Sequence, residues 1–194
     1  MLILASTSPT RQNLLKNAGV AFESVPPKMD EADFKNSHTN RDPADLALSL
    51  AIAKSQSLSG DFPNRIIIGS DQTLICDNIM MSKPTSHWQA KSQLLNMRKQ
   101  THLLTSAVAC TLNGALIWQF QDHARMTMRN FSDAFLESYL SEAPSDILSS
   151  VGAYKLEGVG IQLFENIEGN YFTILGFPLL ELLKFLRSQG ELMQ

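Results

Sequence analysis

Three consecutive isoleucines, Ile66, Ile67 and Ile68, constrain the fold more than any other segment of the chain. β-Branched side chains favour a pleated, buried position, so this run is predicted to be a buried strand. The apolar residues 2–5 are too few for a helix and predict a second buried strand. Strand and helix signals alternate early in the chain and hairpin signals come later, an order that favours a mixed α/β sheet.

Capping and turn residues mark the other elements. Ser8 and Pro9 fit the N-cap and the first position of a helix that Gly19 ends. Asp42 and Pro43 begin a second helix in the same way. Further helices are predicted at 86–97, 132–142 and 178–188, a loop at 28–41, and hairpin turns at Asn113-Gly114 and at 168–170.

The length and net charge of the chain limit the classes of function that it can have. The 194 residues predict a single domain, 1–194, and the formal net charge is −3. Binding a nucleic-acid polymer needs a strong basic excess, so no such partner is expected, whereas a small phosphorylated ligand needs only a local cluster of cations. No apolar run reaches the ~18 residues of a membrane span, which predicts no membrane contact and a cytoplasmic protein. Formation of a homodimer is left open.

The first candidate site is the segment 6–11, STSPTR, where a strand ends and a helix begins. Free backbone N–H groups and the positive end of the helix dipole favour an anion at such a place. The hydroxyl of Ser8 and the guanidinium of Arg11 add donors that suit phosphate oxygens. The alternative is that Ser8 only caps the helix and that Arg11 is a solvated surface residue.

Two further residues suggest where chemistry is carried out. Asp71 follows the isoleucine strand, at its predicted carboxyl end, where open α/β sheets place their ligands. Its carboxylate is suited to hold a divalent metal or to take a proton from water. Lys54 lies on the apolar stripe of its helix, from which it either enters a cleft to meet phosphate or extends past the core to solvent. For Asp71 the alternative is a turn-forming residue.

Three other charged residues give weaker signals. Lys83 precedes a proline and is therefore expected on a loop. Glu31 belongs to a polar segment that is ordinarily a solvated loop. Glu157 lies near glycines that permit close backbone approach, where its carboxylate either accepts hydrogen bonds from a base edge or forms a surface turn.

Taken in order, these segments resemble the Maf family along essentially the whole chain. The resemblance is carried by LILASTSPTRQNLL, Asp30-Glu31, Lys54, IIIGSDQT, SKP, VGAYKLEGVGIQLFENIEGNY and ILGFPL. It implies a metal-dependent nucleoside triphosphate pyrophosphatase, in which water attacks the α-phosphate and pyrophosphate and a nucleoside monophosphate are released. The implied fold is a mixed twisted sheet flanked by helices, with two lobes around a central cleft, similar to the inosine-triphosphate pyrophosphatases.

The resemblance also implies roles for individual residues. It assigns Asp71 as the catalytic proton acceptor, and Glu31, together with Asp71, as a ligand of a divalent metal such as Mg²⁺ or Mn²⁺. The residues that it assigns to the phosphates of the nucleoside triphosphate substrate are Ser8, Arg11, Lys54 and Lys83.

Nucleotide choice in the family is associated with three positions, which here hold Thr10, Gln72 and Glu157. Gln72 and Glu157 are similar to the subgroup that prefers 7-methyl-GTP. An N7-methylated guanine is a cation whose N1–H and N2–H₂ edge donates hydrogen bonds, and a carboxylate answers both features. Thr10 stands where that subgroup would have a large aromatic residue, and Ala53 stands where a glutamate is common in the family.

Two alternatives remain open at this point. One is a dTTP/UTP or inosine-triphosphate pyrophosphatase of the same architecture. The other is a non-catalytic nucleotide-binding regulator of cell division, because some family members were first linked to inhibition of septum formation.

Overall fold

The computed structural model describes residues 1–37, 43–142 and 145–193. The strands are β1 Leu2–Ala5, β2 Phe22–Val25, β3 Ile67–Cys76, β4 Ile79–Met81, β5 Thr101–Leu112, β6 Ala115–Met128 and β7 Phe164–Glu168. The α-helices are α1 Pro9–Asn17, α2 Glu31–Asn36, α3 Pro43–Gln56, α4 His87–Met97, α5 Asp133–Glu142, α6 Tyr171–Ile174 and α7 Leu179–Ser188. Two 3₁₀ helices span Ser145–Ser149 and Val159–Leu163.

The strands form one mixed sheet in the order β2-β1-β3-β5-β6-β7, with β4 paired to β3. β1 runs parallel to both β2 and β3, whereas β4 is antiparallel to β3 and β7 is antiparallel to β6. The predicted mixed α/β sheet is therefore confirmed, while the cleft between two lobes stays a prediction. None of the helices in the described part of the chain is long and apolar enough to cross a membrane.

The chain divides into two compact units. Unit 1 comprises Met1–Gln72, Thr105–Asp122 and Tyr171–Gln194, and unit 2 comprises Thr73–Leu104 and His123–Asn170. Strand β3 passes from the first unit into the second after Gln72. The single domain over 1–194 stays a prediction.

The core of unit 1 covers both faces of the parallel strands β1 and β3, because successive side chains of a strand point to opposite faces. One face packs against α1 and α7, through a cluster that includes Leu2, Leu4, Ile66, Ile68, Leu15, Leu182 and Leu186. The other face carries Ile3, Ala5 and Ile67, which pack with Leu58 at the end of the α3 segment. Helices on both faces explain why the isoleucine run is apolar without alternation.

Helix α3 lies unusually close to β3 at one glycine. A Cβ atom at Gly69 would lie 2.0 Å from the carbonyl oxygen of Ala51 and 2.7 Å from the backbone nitrogen of Ser55. No side chain fits at that distance, so only glycine allows the two backbones to approach. Small residues continue this packing, since Ala47 and Ala51 contact Ala107 and Ala109 of β5.

Most of the predicted elements are confirmed. The hairpin at Asn113-Gly114 joins β5 to β6, and both residues have positive φ, +51° and +82°, as a tight hairpin turn requires. Ser8 is the N-cap of α1, and Ser86 is the N-cap of α4. Helix α3 begins at Pro43, and Asp42, its predicted cap, lies outside the described residues.

Two predictions of loops and turns are wrong. Residues Glu31–Asn36 form α2 where a loop was expected, because the Asp30 carboxylate caps the helix by accepting hydrogen bonds from the backbone of Ala32 and Asp33. A hairpin is not formed at 168–170, because the chain enters α6 at Tyr171 directly after β7. Residues 38–41 of the predicted loop lie outside the described part of the chain.

Candidate active site

The site in unit 1 is organised by the alternation of side chains along β3. Gly69 and Asp71 face α3, whereas Ser70 and Gln72 face the segment 171–176. Asp71 was expected at the carboxyl end of a strand, and this is wrong, since β3 continues to Cys76 and pairs with β4.

The neighbouring strand shows where Asp71 lies in the sheet. Leu4 of β1 pairs with Ile68 of β3, and β1 ends one residue later at Ala5. Asp71 therefore lies beyond the carboxyl end of β1, next to the start of α1. The edge at which open α/β sheets bind ligands is formed here by β1 and not by β3.

A lysine between two carboxylates forms the charged centre of this site. Lys54 Nζ lies 2.6 Å from Asp71 Oδ1 and 2.8 Å from Glu31 Oε1. The side chains of Lys54 and Asp71 are 6% and 8% exposed, whereas that of Glu31 is 44% exposed. The alternative in which Lys54 extends to solvent is therefore wrong. The ammonium instead neutralises a buried carboxylate, and Glu31 connects the pair to the surface.

One oxygen of Asp71 takes no part in these ion pairs. Asp71 Oδ2 is buried and has no hydrogen-bond partner within the described residues. Leaving a buried carboxylate oxygen without a donor is costly, which makes such an atom a candidate for contact with a ligand, a water or a metal ion. The described residues contain no group of three or more His, Cys, Asp and Glu side chains that could hold a metal ion by themselves.

Arg11 is anchored from α1 to both neighbouring segments. Its Nε donates to Gly176 O at 3.1 Å, and its Nη1 donates to Ser70 O at 2.7 Å. Burial lowers the pKa of the Arg11 guanidinium below its ordinary value, against the opposing effect of the negative charges of Asp71 and Glu31. The alternative of a solvated Arg11 is therefore wrong, and the guanidinium is held within the field of the two carboxylates.

Ser8 combines a capping role with a position beside Arg11. Its Oγ accepts a hydrogen bond from the Arg11 backbone N–H at 3.5 Å, and its own N–H donates to Ser6 Oγ at 3.1 Å. Thr10 lies between these residues in the first turn of α1 and is half-buried. The start of α1, the acidic residue Glu31 and the pair Lys54–Asp71 thus belong to one unit of the structure.

Sequence reasoning missed how Glu31 and Gln72 are positioned. Glu31 is the first residue of α2, and the signal for this helix was present in its cap Asp30 and in the acidic first turn. The amide nitrogen of Gln72 donates to Ser106 Oγ at 3.0 Å and to backbone carbonyls of α6. No local pattern connects Gln72 with residues 34 and about a hundred positions away along the chain.

Two predicted site residues belong to unit 2. Lys83 is exposed on the connection between β4 and α4. Glu157 is also exposed and lines a pocket of ≈ 220 Å³ together with Tyr139, Ile147, Lys155, Gly158, Val159 and Gly160. That Lys83 and Glu157 contact the same substrate as Asp71 stays a prediction.

The protein family and the sequence relatives that match this chain cover nearly all of it. The model of the family described as Maf-like protein matches residues 1–189. A protein of Paramagnetospirillum magneticum named nucleoside triphosphate pyrophosphatase is 46% identical over 192 residues, which cover 98% of this chain and 99% of that protein. A protein of Rhizobium johnstonii named 7-methyl-GTP pyrophosphatase is 46% identical over 195 residues, with 98% and 97% covered. A solved dITP/XTP pyrophosphatase of Mycobacterium abscessus aligns with 97% of this chain and 94% of its own, at a TM-score of 0.43 and 14% identity.

Proposed function

Because this chain belongs to the Maf family and is a nucleoside triphosphate pyrophosphatase, we propose that Asp71 is its catalytic base and that 7-methyl-GTP is its preferred substrate. The observation that carries the assignment of Asp71 is its buried pairing with Lys54, which leaves Oδ2 without a partner among the described residues. The contact of Oδ1 with Lys54 orients the carboxylate, and Oδ2 remains as an acceptor for a proton.

Asp71 accepts a proton from the attacking water through Oδ2. Its other oxygen accepts a hydrogen bond from Lys54, which fixes the rotation of the carboxylate. Water that loses its proton to the carboxylate attacks the α-phosphorus. The bond from this phosphorus to the bridging oxygen breaks, and pyrophosphate leaves with the electron pair of that bond.

The triphosphate is bound by donors from α1 and by cations. The hydroxyl of Ser8 and the guanidinium of Arg11 lie at the start of this helix, where its dipole also favours negative charge. Two donors of Arg11 are used by backbone carbonyls, which fixes the plane of the guanidinium and leaves its remaining N–H groups for phosphate oxygens. Lys54 and Lys83 supply the other positive charges that offset the charge of the phosphates.

The residues around Lys54 fit a divalent metal ion that is shared with the substrate. Mg²⁺ is usually held by one or two carboxylates together with substrate phosphates and waters, and not by a complete protein cage. The carboxylates of Asp71 and of the half-exposed Glu31 provide that number. Mg²⁺ or Mn²⁺ bound by Asp71 and Glu31 would neutralise phosphate charge and polarise the α-phosphate.

The preference for 7-methyl-GTP is supported by Gln72 and Glu157, whereas Thr10 departs from the subgroup that prefers this nucleotide. The relative from Rhizobium johnstonii carries this activity in its name at 46% identity. The carboxylate of Glu157 matches both the positive charge of the methylated base and its donor edge. Thr10 offers no aromatic surface for stacking, so hydrogen bonding and charge provide the selection in this chain.

A nucleotide panel tests this function. The native protein is assayed with 7-methyl-GTP, GTP, ITP, dTTP and UTP in the presence of Mg²⁺ or Mn²⁺, and pyrophosphate and orthophosphate are measured separately. We expect pyrophosphate as the direct product and the highest kcat/KM for 7-methyl-GTP. Glu157→Gln should reduce the preference for 7-methyl-GTP over GTP by roughly tenfold, because a charge-assisted hydrogen bond becomes a neutral one.

Two results would contradict the proposal in different parts. Orthophosphate as the first product means that a different bond is cut. An unchanged order of substrates in Glu157→Gln means that this carboxylate does not select the base. A dTTP or UTP preference in the native protein would favour the other nucleotide subgroup.

A further inference from the structure

The face of β3 that points away from Lys54 fixes the orientation of one amide. Gln72 is half-buried, and its Nε2 lies 3.0 Å from Ser106 Oγ, 3.0 Å from Ile174 O and 3.2 Å from Thr173 O. Backbone carbonyls only accept hydrogen bonds, so two of these partners require a donor. The atom that faces them is therefore the amide nitrogen and not the amide oxygen.

Ser106 requires the same orientation of the amide. The Ser106 hydroxyl is fully buried and donates to Thr173 O at 2.6 Å. A hydroxyl has one proton, and since that proton is used by Thr173 O, Ser106 Oγ meets Gln72 as an acceptor. Exchanging the nitrogen and oxygen of Gln72 would place an acceptor against three acceptors.

The segment that supplies these carbonyls is itself anchored. Thr173 is buried, and its Oγ1 donates to Asp122 Oδ2 at 2.7 Å. Gly176 has a φ of +83°, and a Cβ there would lie 3.2 Å from Gln72 Oε1. The carbonyl of Gly176 accepts from Arg11 Nε. Residues 171–176, which we call the anchor turn, thus contact both a phosphate-site cation and Gln72.

Gln72 uses its Nε2 for the contacts with Ser106 and the anchor turn, so its Oε1 is the atom of the amide that remains available as an acceptor toward a ligand. We propose that Ser106 and Thr173 are positioning residues, which hold Gln72 as a hydrogen-bond acceptor toward the nucleotide. The enzyme then selects nucleotides that present a donor at this point, either the 2-amino group of a guanine base or the 2′-hydroxyl of the ribose. This proposal rests on the proposed function, because it requires that the nucleotide meets Gln72.

The test compares substrates that differ by one donor. GTP and ITP differ by the 2-amino group of the base, and GTP and dGTP differ by the 2′-hydroxyl of the ribose. We expect the native protein to discriminate in kcat/KM within at least one pair by roughly tenfold, because the loss of the donor leaves Oε1 unpaired. The pair that shows the ratio identifies the donor.

The variants then separate positioning from a general structural role. Ser106→Ala and Thr173→Val should reduce that ratio by roughly threefold or more, and Thr173→Ser, which keeps the hydroxyl donor to Asp122, should restore it. The matched control is Thr111→Val on the same strand, since the Thr111 hydroxyl is fully buried and has no partner within the described residues. Thr111→Val should leave the ratio unchanged.

Gln72→Met provides a second variant that leaves Ser106 and the anchor turn intact. It should abolish the discrimination, even if Ser106→Ala proves too unstable to assay. A native protein with ratios below about twofold in both pairs would overturn the proposal, as would variants that lower kcat/KM by the same factor for every substrate. Both of these results would leave pyrophosphate release from 7-methyl-GTP intact, whereas failure of the proposed function would appear in the nucleotide panel, as orthophosphate for the first product or as a preference for dTTP or UTP.

Discussion

The two faces of β3 differ in how their polar groups are satisfied. On the face toward α3, Asp71 shares a buried ammonium with Glu31 and keeps one oxygen without a partner in the described chain. On the opposite face, Gln72 and Ser70 form neutral hydrogen bonds to Ser106 and to carbonyls of the anchor turn. One strand therefore carries an incompletely satisfied charged group and, one residue later, a well-anchored neutral one.

This difference supports the proposal that the face toward α3 carries out the chemistry. Folding alone favours complete satisfaction of buried polar groups, and exceptions in native proteins concentrate at functional sites. The charged face retains the cost of a buried carboxylate oxygen without a partner in the described chain, a cost that a bound water, metal ion or substrate would offset. On the neutral face, the hydrogen bonds of Gln72 fix the orientation of its amide, which suits a group that selects a substrate by hydrogen bonding.

The largest effect is expected from removing the charge on the α3 face. Asp71→Asn keeps the size of the side chain and an oxygen for Lys54 but cannot take a proton from water. The rate of pyrophosphate release should fall by about 10²- to 10⁴-fold, while triphosphate binding is retained. The control Asp61→Asn alters a carboxylate that is paired only with the exposed Lys28 in the contacts described, and it should not change the rate. A rate within tenfold of the native one would remove Asp71 from the mechanism.

The next effect concerns the stability of the charged face. Lys54→Met leaves the buried Asp71 carboxylate without its counter-ion, and breaking a buried pair on one side costs about 3–5 kcal/mol of the free energy of unfolding. Lys28→Met breaks the exposed pair with Asp61 and should cost less than about 1 kcal/mol. Chemical denaturation of both variants measures the difference. An equal loss of unfolding free energy in both variants would mean that the buried Lys54–Asp71 pair contributes no more to stability than an exposed pair.

A smaller effect is expected from widening the contact between α3 and β3. Gly69→Ala places a methyl group 2.0 Å from Ala51 O, so the helix must shift, at a cost of about 1–3 kcal/mol. Lys54 lies on the same helix, and its shift should also lower activity. Gly60→Ala is the matched control, because no atom lies within 4 Å of a Cβ at that position. Loss of activity in both variants would mean that the close contact does not set the position of Lys54.

Local patterns in the sequence were sufficient where one segment determines its own structure. The strand at 2–5, the Ser8 cap of α1 and the hairpin at Asn113-Gly114 follow from short-range preferences of their residues. The same preferences correctly predicted a strand over the isoleucine run, but they did not predict where that strand ends. The polar residues Ser70, Asp71 and Gln72 predicted an end of the strand. Pairing with β4 instead extends β3 to Cys76.

The candidate site was less predictable because its contacts join distant segments. Arg11 is held by carbonyls at positions 70 and 176, which any residue type would supply. The helix that brings Glu31 to Lys54 is only six residues long and depends on the cap at Asp30. Residue types therefore suggested which side chains matter, while tertiary packing determined which of them meet.

Hydrolysis in water enriched in ¹⁸O tests most directly the claim that water attacks the α-phosphorus. The native protein is given 7-methyl-GTP, and both products are analysed by mass spectrometry after a single turnover. The account predicts that the label appears in the nucleoside monophosphate and that the pyrophosphate is unlabelled. Label in the pyrophosphate, or orthophosphate as the first product, would contradict it, because the water would then attack a different phosphorus.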